Sequence, residues 1–219
     1  GKDSLMPWLG NDDDQADSEK FLELRQRITC DCDGWPFDTW LKYPGPWNFQ
    51  AACGKRCEAT EGCTIEATEM RGITVSQLRP LWLYMEKYCE KEQWKNFQNK
   101  TVTPTSASLY EVCKYVIMPF TKPQKLSYVE HVATASQQPK FFVSHWWGEP
   151  VRAFIACLEQ HTYDRRFGEN TAYWICAYAN NQWNIGKAVT KDPAESSFRK
   201  AMALSEGTVS IIDDGAVVF

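Results

Sequence analysis

The stretch KFFVSHWWGEP, residues 140–150, decides the fold of this 219-residue chain. Residues 140–144 form a short apolar run typical of a buried strand, and the polar and aromatic cluster that follows marks the end of that strand. Residues 151–161 (VRAFIACLEQH) then carry apolar side chains at helical spacing, with Pro150 suited to a first helical turn. The pattern predicts a strand, a polar loop and an amphipathic helix.

The same order of elements repeats downstream. Residues 171–178 (TAYWICAY) predict a second strand, residues 194–204 a further helix and residues 208–212 (TVSII) a third strand. Strands that alternate with helices favour crossover connections and a parallel sheet. We therefore expect the first part of an α/β domain over residues 140–219.

Residues 1–139 are predicted to be a helical and irregular region. Residues 10–19 are a polar acidic run that indicates a loop leading into a short helix over 18–27. Residues 30–63 are dense in Trp, Pro, Gly and Cys and follow neither a strand nor a helix period, which indicates irregular structure.

Three helices are predicted in the rest of this region. Over residues 78–94 apolar side chains recur every three or four positions, and Pro80 favours a helix start close to it, because proline is best tolerated in a first turn. Two shorter helices are expected over residues 109–116 and 128–135.

The composition excludes several classes of protein. Hydrophobic residues make up 43% and charged residues 24%, which is typical of a globular chain and not of a disordered or collagenous one. The net charge of −4 gives no basic field for nucleic acid or an anionic membrane. No apolar run is long enough to cross a membrane, and the first 25 residues lack the pattern of a secretory signal, so we expect a cytoplasmic location.

The 9 cysteines fall into two groups. Their odd number leaves at least one thiol unpaired within the chain. The spacing of the first group does not match the usual zinc-site pairs. Disulfides within this group are plausible if the protein matures in an oxidising compartment. The second group is predicted to be buried core thiols, and a nucleophilic pair of Cys157 with His161 is disfavoured because both share one helix face. The first group is Cys30, Cys32, Cys53, Cys57 and Cys63; the second is Cys89, Cys113, Cys157 and Cys176.

Polar and aromatic side chains collect at the carboxyl ends of the predicted strands. In an open parallel sheet, ligands bind outside these ends. Hydroxyl, imidazole, carboxylate and amide groups flanked by indoles would suit a ligand with a flat ring and several hydroxyls, such as a nucleotide. The predicted ligand-binding residues are Ser144, His145, Trp146, Trp147, Glu149, Asn180, Asn181, Gln182 and Trp183, with Asp213 and Asp214 after the third strand.

Each of these residues also has a structural interpretation. Ser144 suits a helix cap, and His145 suits a buried, hydrogen-bonded histidine. The two tryptophans suit core packing, and Asn180 and Asn181 favour turns without any ligand. Both interpretations stay open at this point.

Two motifs resemble known families. Residues 141–148 (FFVSHWWG) are similar to the first strand and following loop of Toll/interleukin-receptor (TIR) domains, including TIR-like proteins of algae and other protists. Trp174-Ile175, five residues and Asn181-Gln182 resemble the W-I-x5-N-Q block of heterokaryon-incompatibility (HET) domains. Cys176 stands where that block usually carries an acidic residue.

The resemblance implies a flavodoxin-like sheet of five parallel strands with helices on both faces. It implies either hydrolysis of NAD, as a substrate, at the nicotinamide–ribose bond, or self-association as a signalling module. In the hydrolases a glutamate on the helix after the third strand contacts the ribose, and no residue of this sequence matches it, so no catalytic residue is assigned. No cofactor or metal is expected.

The sequence ends just after the third predicted strand, at Phe219. We therefore expect the polypeptide to continue past Phe219, because an open sheet edge would otherwise invite pairing with a second copy or another protein. A structural subunit of a larger complex, with the Trp- and Cys-rich part as its contact surface, is a third expectation.

Overall fold

The computed structural model describes residues 62–185 and 192–212. Several predicted features lie outside these residues: the helix over 18–27, most of the stretch 30–63, and Asp213 and Asp214. The elements are, in chain order, a 3₁₀ turn Thr68–Met70, β1 Ile73–Thr74, α1 Val75–Tyr88, α2 Leu109–Val112, a π-helical turn Cys113–Ile117, α3 Met118–Thr121, α4 Tyr128–Val132, β2 Phe141–Ser144, α5 Val151–Asp164, β3 Ala172–Trp174, α6 Cys176–Ala179, a 3₁₀ turn Pro193–Glu195, α7 Ser197–Leu204 and β4 Gly207–Ser210.

The described strands form one mixed sheet in the order β1-β3-β2-β4. The central strand β2 runs parallel to both neighbours, with Phe141 opposite Tyr173 of β3 and Gly207 of β4. The expected parallel arrangement therefore holds for β2, β3 and β4. At the far edge β1 pairs antiparallel with β3, so an α/β fold with a mixed sheet replaces the wholly parallel sheet that we expected.

Helices cover both faces of this sheet. On one face Phe142 stacks on Trp174, with 5.3 Å between ring centroids, and Phe198 of α7 packs against both rings. On the other face the ring centroids of Phe141 and Tyr173 lie 5.8 Å apart. These two rings pack against α5 and α1 in the main hydrophobic core. Burial of both faces explains why the central strands β2 and β3 are almost continuously apolar, whereas β4 at the edge is half exposed.

Helix α1 begins earlier and ends earlier than predicted. The hydroxyl of Thr74 accepts a hydrogen bond from the backbone N–H of Gln77, and the Gln77 side chain accepts one from the backbone N–H of Thr74. This capping box starts the helix at Val75, so Pro80 lies inside it and not in its first turn. The helix ends at Tyr88, well before the predicted limit.

The second predicted strand is wrong over half of its length. Strand β3 spans Ala172–Trp174 alone, and α6 begins at Cys176 after the extended residue Ile175. A buried apolar run is compatible with a strand or with a helix, so residues 171–178 carried no period that marks the change. Cys176 therefore lies at the start of a helix, where β3 ends.

Other boundaries also differ from those predicted. A continuous helical run spans α2, the π-helical turn and α3, where a helix over 109–116 was expected. Helix α4 ends at Val132, α7 begins at Ser197, and the third parallel strand, β4, starts and ends earlier than predicted. None of the helices in the described part of the chain is long and apolar enough to cross a membrane.

The described cysteines all carry free thiols. Cys89 and Cys113 are buried, as predicted. Cys157 is exposed, so the prediction of a core thiol is wrong there, because it lies on the side of α5 that faces solvent. Cys176 and Cys63 are half-buried.

Candidate functional site

The loop over residues 145–150 leaves the carboxyl end of the central strand and is fixed by backbone hydrogen bonds. At its start the Ser144 carbonyl accepts a hydrogen bond from the N–H of Ile211, at 2.9 Å, which ties β2 to the residue after β4. In its middle the Trp147 carbonyl accepts one from the N–H of Leu109, at 3.0 Å. Ser144 does not cap the following helix, which starts after Pro150 without a side-chain cap.

His145 lies between an acidic group and a thiol. Its Nδ1 atom is 3.4 Å from Oε1 of Glu149 and 3.4 Å from the carbonyl of Trp146, while its Nε2 atom is 3.7 Å from Sγ of Cys176. The side chains of His145 and Glu149 are only 1% and 2% exposed, so water screens their interaction weakly. The ring of Phe154 lies 4.8 Å from the imidazole and completes its apolar side.

The surroundings of His145 favour its protonated form. Burial lowers the pKa of the imidazole, but the close approach of its nitrogens to Cys176 and Glu149, and the negative charges these groups can carry, outweigh burial and raise the pKa to about 9. The imidazole of His145 therefore binds a proton more tightly than an ordinary histidine does.

Two ring nitrogens of the loop lie close to Sγ of Cys176. Besides His145, the indole Nε1 of Trp147 donates to Sγ of Cys176 at 3.2 Å. Sγ of Cys176 therefore lies within reach of two nitrogen atoms of this loop, one on an imidazole and one on an indole. This contact was not predicted from sequence, because Cys176 was assigned to the apolar face of a strand. The available signal was the position of Cys176 itself, where the W-I-x5-N-Q pattern usually carries an acid.

The two tryptophans of the loop differ in exposure. Trp147 is half-buried, and its ring lies 5.5 Å from that of Tyr110. Trp146 is 37% exposed, and its indole lies so close to Gly148 that a Cβ there would clash with the ring. The absence of a side chain at Gly148 therefore leaves room for the Trp146 ring against its own loop.

Two of the predicted ligand-binding residues after β3, Asn180 and Gln182, are buried and form hydrogen bonds within the protein. Oδ1 of Asn180 accepts a hydrogen bond from the hydroxyl of Ser197, at 2.9 Å, which links α6 to α7. Nε2 of Gln182 donates to the carbonyl of Ala177, at 2.9 Å. Both side chains are 2% exposed or less.

Asn181 and Trp183 also make contacts within the protein. Nδ2 of Asn181 donates to the carbonyl of Lys125 at 2.6 Å, and Nε1 of Trp183 donates to the hydroxyl of Thr121 at 3.0 Å. These bonds attach the segment after β3 to the helical run around α3. The residues brought together at the end of β2 are thus those of the loop and Cys176, whereas the block after α6 turns its polar groups toward neighbouring helices.

No protein family, curated protein or solved structure matches this chain. Its chemistry therefore rests on the geometry above. Among residues 62–185 and 192–212, no group of His, Cys, Asp and Glu side chains is placed to hold a metal ion. The site offers an imidazole next to a thiol, and the same loop carries the partly exposed indole of Trp146.

Proposed function

We propose that this α/β domain is a TIR-like nucleotide-processing domain that binds NAD at the carboxyl edge of β2 and β4 and cleaves its nicotinamide–ribose bond. The single observation that carries the proposal is the order of the parallel strands. The chain runs from the central strand β2 to β3 on one side and then to β4 on the other. In open α/β sheets, ligands bind where the strand order reverses in this way, and the order β3-β2-β4 corresponds to the first three strands of a flavodoxin-like sheet.

The side chains at the carboxyl ends of β2 and β4 suit the flat rings and the ribose and phosphate oxygens of a dinucleotide. The partly exposed indole of Trp146 is suited to stacking on a base or on nicotinamide, an interaction that is sequence-tolerant and contributes about 1–3 kcal/mol per base. The hydroxyls of Ser144 and Ser210 lie opposite each other in the register of β2 and β4, at the end of both strands. They are suited to hydrogen bonding with ribose or phosphate oxygens.

Cleavage requires a carboxylate that stabilises an oxocarbenium-like state as nicotinamide leaves. Glu149 is the carboxylate of the loop, but its side chain is 2% exposed and faces His145. The proposal therefore assigns the catalytic carboxylate to none of the described residues.

A second candidate is a non-catalytic assembly module with the same fold. The observation that favours it is the position of β4 at the edge of the sheet, where the described residues pair it with β2 alone. An edge strand presents backbone N–H and carbonyl groups to another chain. In this candidate the loop over 145–150 recognises a nucleotide without turnover.

The test is incubation of the purified chain with NAD, with nicotinamide release followed by chromatography and NAD binding followed by calorimetry. Release of nicotinamide supports the enzyme. Binding without release favours the non-catalytic module, and it contradicts the enzyme. The absence of both contradicts nucleotide recognition altogether.

A further inference from the structure

The thiol of Cys176 lies in an environment that differs from those of the other described cysteines. Burial raises the pKa of Cys89 to about 11 and that of Cys113 to about 12, which keeps both protonated. Burial and the carboxylate of Glu149 raise the pKa of the exposed Cys157. Cys176 instead faces N–H groups of His145 and Trp147.

Glu149 orients the imidazole of His145 that faces Cys176. Nδ1 of His145 points to the buried carboxylate of Glu149, whose Oε1 has no hydrogen bond of standard geometry and has this imidazole as its charge partner, at 3.4 Å. A proton on Nδ1 leaves Nε2 directed at the sulfur. A nucleophile, a base within reach and a third group that orients the base form the general arrangement of an activated nucleophile.

Partial exposure makes Cys176 a candidate for reaction. Cys176 is half-buried at the start of α6, whereas His145 and Glu149 are almost wholly enclosed. Reactive thiols in proteins combine such partial exposure with an electropositive surrounding, and inert structural thiols do not.

We propose that Cys176 is a nucleophilic thiol, activated by His145, that captures soft carbon electrophiles of the α,β-unsaturated carbonyl class. Sγ forms a bond to the β-carbon, and the electron pair of the carbon–carbon double bond moves to the α-carbon. That carbon takes the proton that Nε2 of His145 has received from the thiol. The thiol adds across the double bond, so there is no leaving group and nothing is oxidised or reduced. The step needs no nucleotide and goes beyond the proposed function.

A purely structural role for Cys176 makes a different prediction. In that role the sulfur serves only as a partner for His145 and Trp147, as a carboxylate would at the same position of the W-I-x5-N-Q pattern. Cys176→Asp would then preserve the protein, and the thiol of the native chain would react no faster than an ordinary one.

The experiment is timed labelling of the native chain with N-ethylmaleimide, without nucleotide, and quantification of each cysteine-containing peptide by mass spectrometry. We expect Cys176 to react at least about tenfold faster than the more exposed Cys157. His145→Gln should slow labelling of Cys176 by about tenfold, and Trp147→Phe, which keeps the ring but removes the N–H donor, should slow it by a smaller factor. His161→Gln is the matched control, because His161 contacts Tyr173 and not the thiol, and it should leave the rate unchanged.

Two results would overturn the proposal. One is labelling of Cys176 at the rate of Cys157 or below in the native chain. The other is an unchanged rate at Cys176 in both His145→Gln and Trp147→Phe. Circular dichroism of each variant separates a lost activation from a lost fold, and Trp147→Phe keeps the test valid if His145→Gln does not fold.

Discussion

At the scale of single residues, the charge on His145 links the site to the stability of the fold. Its pKa of about 9 in the folded protein lies above the ordinary value of 6.5. The protonated imidazole therefore contributes stability that is fully present below pH 6.5 and is lost as the pH rises through about 9.

We therefore predict a pH-dependent cost for His145→Gln. The native chain should have a higher free energy of unfolding than the variant, and this difference should be about 3 kcal/mol larger at pH 6 than at pH 10. The reason is that each unit of the pKa shift from 6.5 to about 9 is worth about 1.4 kcal/mol. Urea unfolding of both proteins at both pH values measures this difference.

His161 supplies the control, since burial and the nearby Arg165 lower its pKa. The contribution of His161 should therefore fall as the pH drops below 6.5, opposite in direction to that of His145. A difference between the native chain and His145→Gln that does not change from pH 6 to pH 10 would show that His145 carries no extra charge in the folded state.

At the scale of elements, a buried ion pair attaches the segment before β1 to α4. Nη2 of Arg71 lies 3.1 Å from Oε1 of Glu130, whose side chain is 2% exposed. The same carboxylate accepts hydrogen bonds from the backbone N–H groups of Ile65 and Ser127, each at 2.9 Å. It thus caps α4 and holds the preceding segment at once.

Glu130→Gln should lower the free energy of unfolding by about 3 kcal/mol, because it leaves the Arg71 guanidinium buried without its counter-charge. The matched control is Glu206→Gln, which removes an exposed pair with Lys140, at 3.5 Å, and should cost less than about 1 kcal/mol. Chemical denaturation of the two variants provides the comparison, and equal costs would contradict this account of α4.

The elements that could be predicted from sequence are those with a clear period or a clear end. Helix α5 and strand β2 were predictable because apolar spacing and the HWWGEP cluster mark them. The change from β3 to α6 was not, since residues 171–178 are apolar throughout and the turn at Ile175 has no glycine or proline. Strand β1 has only two residues and is held by its pairing with β3, a long-range contact without a local signal.

The same limits apply to the candidate site. The loop residues His145 and Glu149 were predicted at a strand end because polar side chains follow an apolar run there. Their contact with Cys176 depends on the register of β2 and β3 and on the helix that begins right after β3. As long as Cys176 is predicted to be a strand residue on an apolar face, its contact with His145 cannot be predicted from sequence.

At the scale of the whole molecule, residues 62–139 share one sheet and one core with the described residues that follow them. Strand β1 pairs with β3, and α1 packs against α5 in the main hydrophobic cluster. Arg79 of α1 bonds to Glu159 and Glu169, each at 3.0 Å, across this contact. The helical region therefore supports the sheet whose carboxyl edge carries the candidate site.

The most direct test of nucleotide recognition at that edge is calorimetric titration of NAD into the native chain, Trp146→Ala and Phe97→Ala. Trp146 is 37% exposed on the loop, and Phe97, which is 75% exposed outside the proposed site, is the matched control. We predict saturable binding to the native chain and to Phe97→Ala, with an affinity about tenfold weaker for Trp146→Ala because one stacking face is lost. Equal affinity in all three proteins, or no binding to the native chain, would contradict a nucleotide site at the carboxyl edge of β2 and β4.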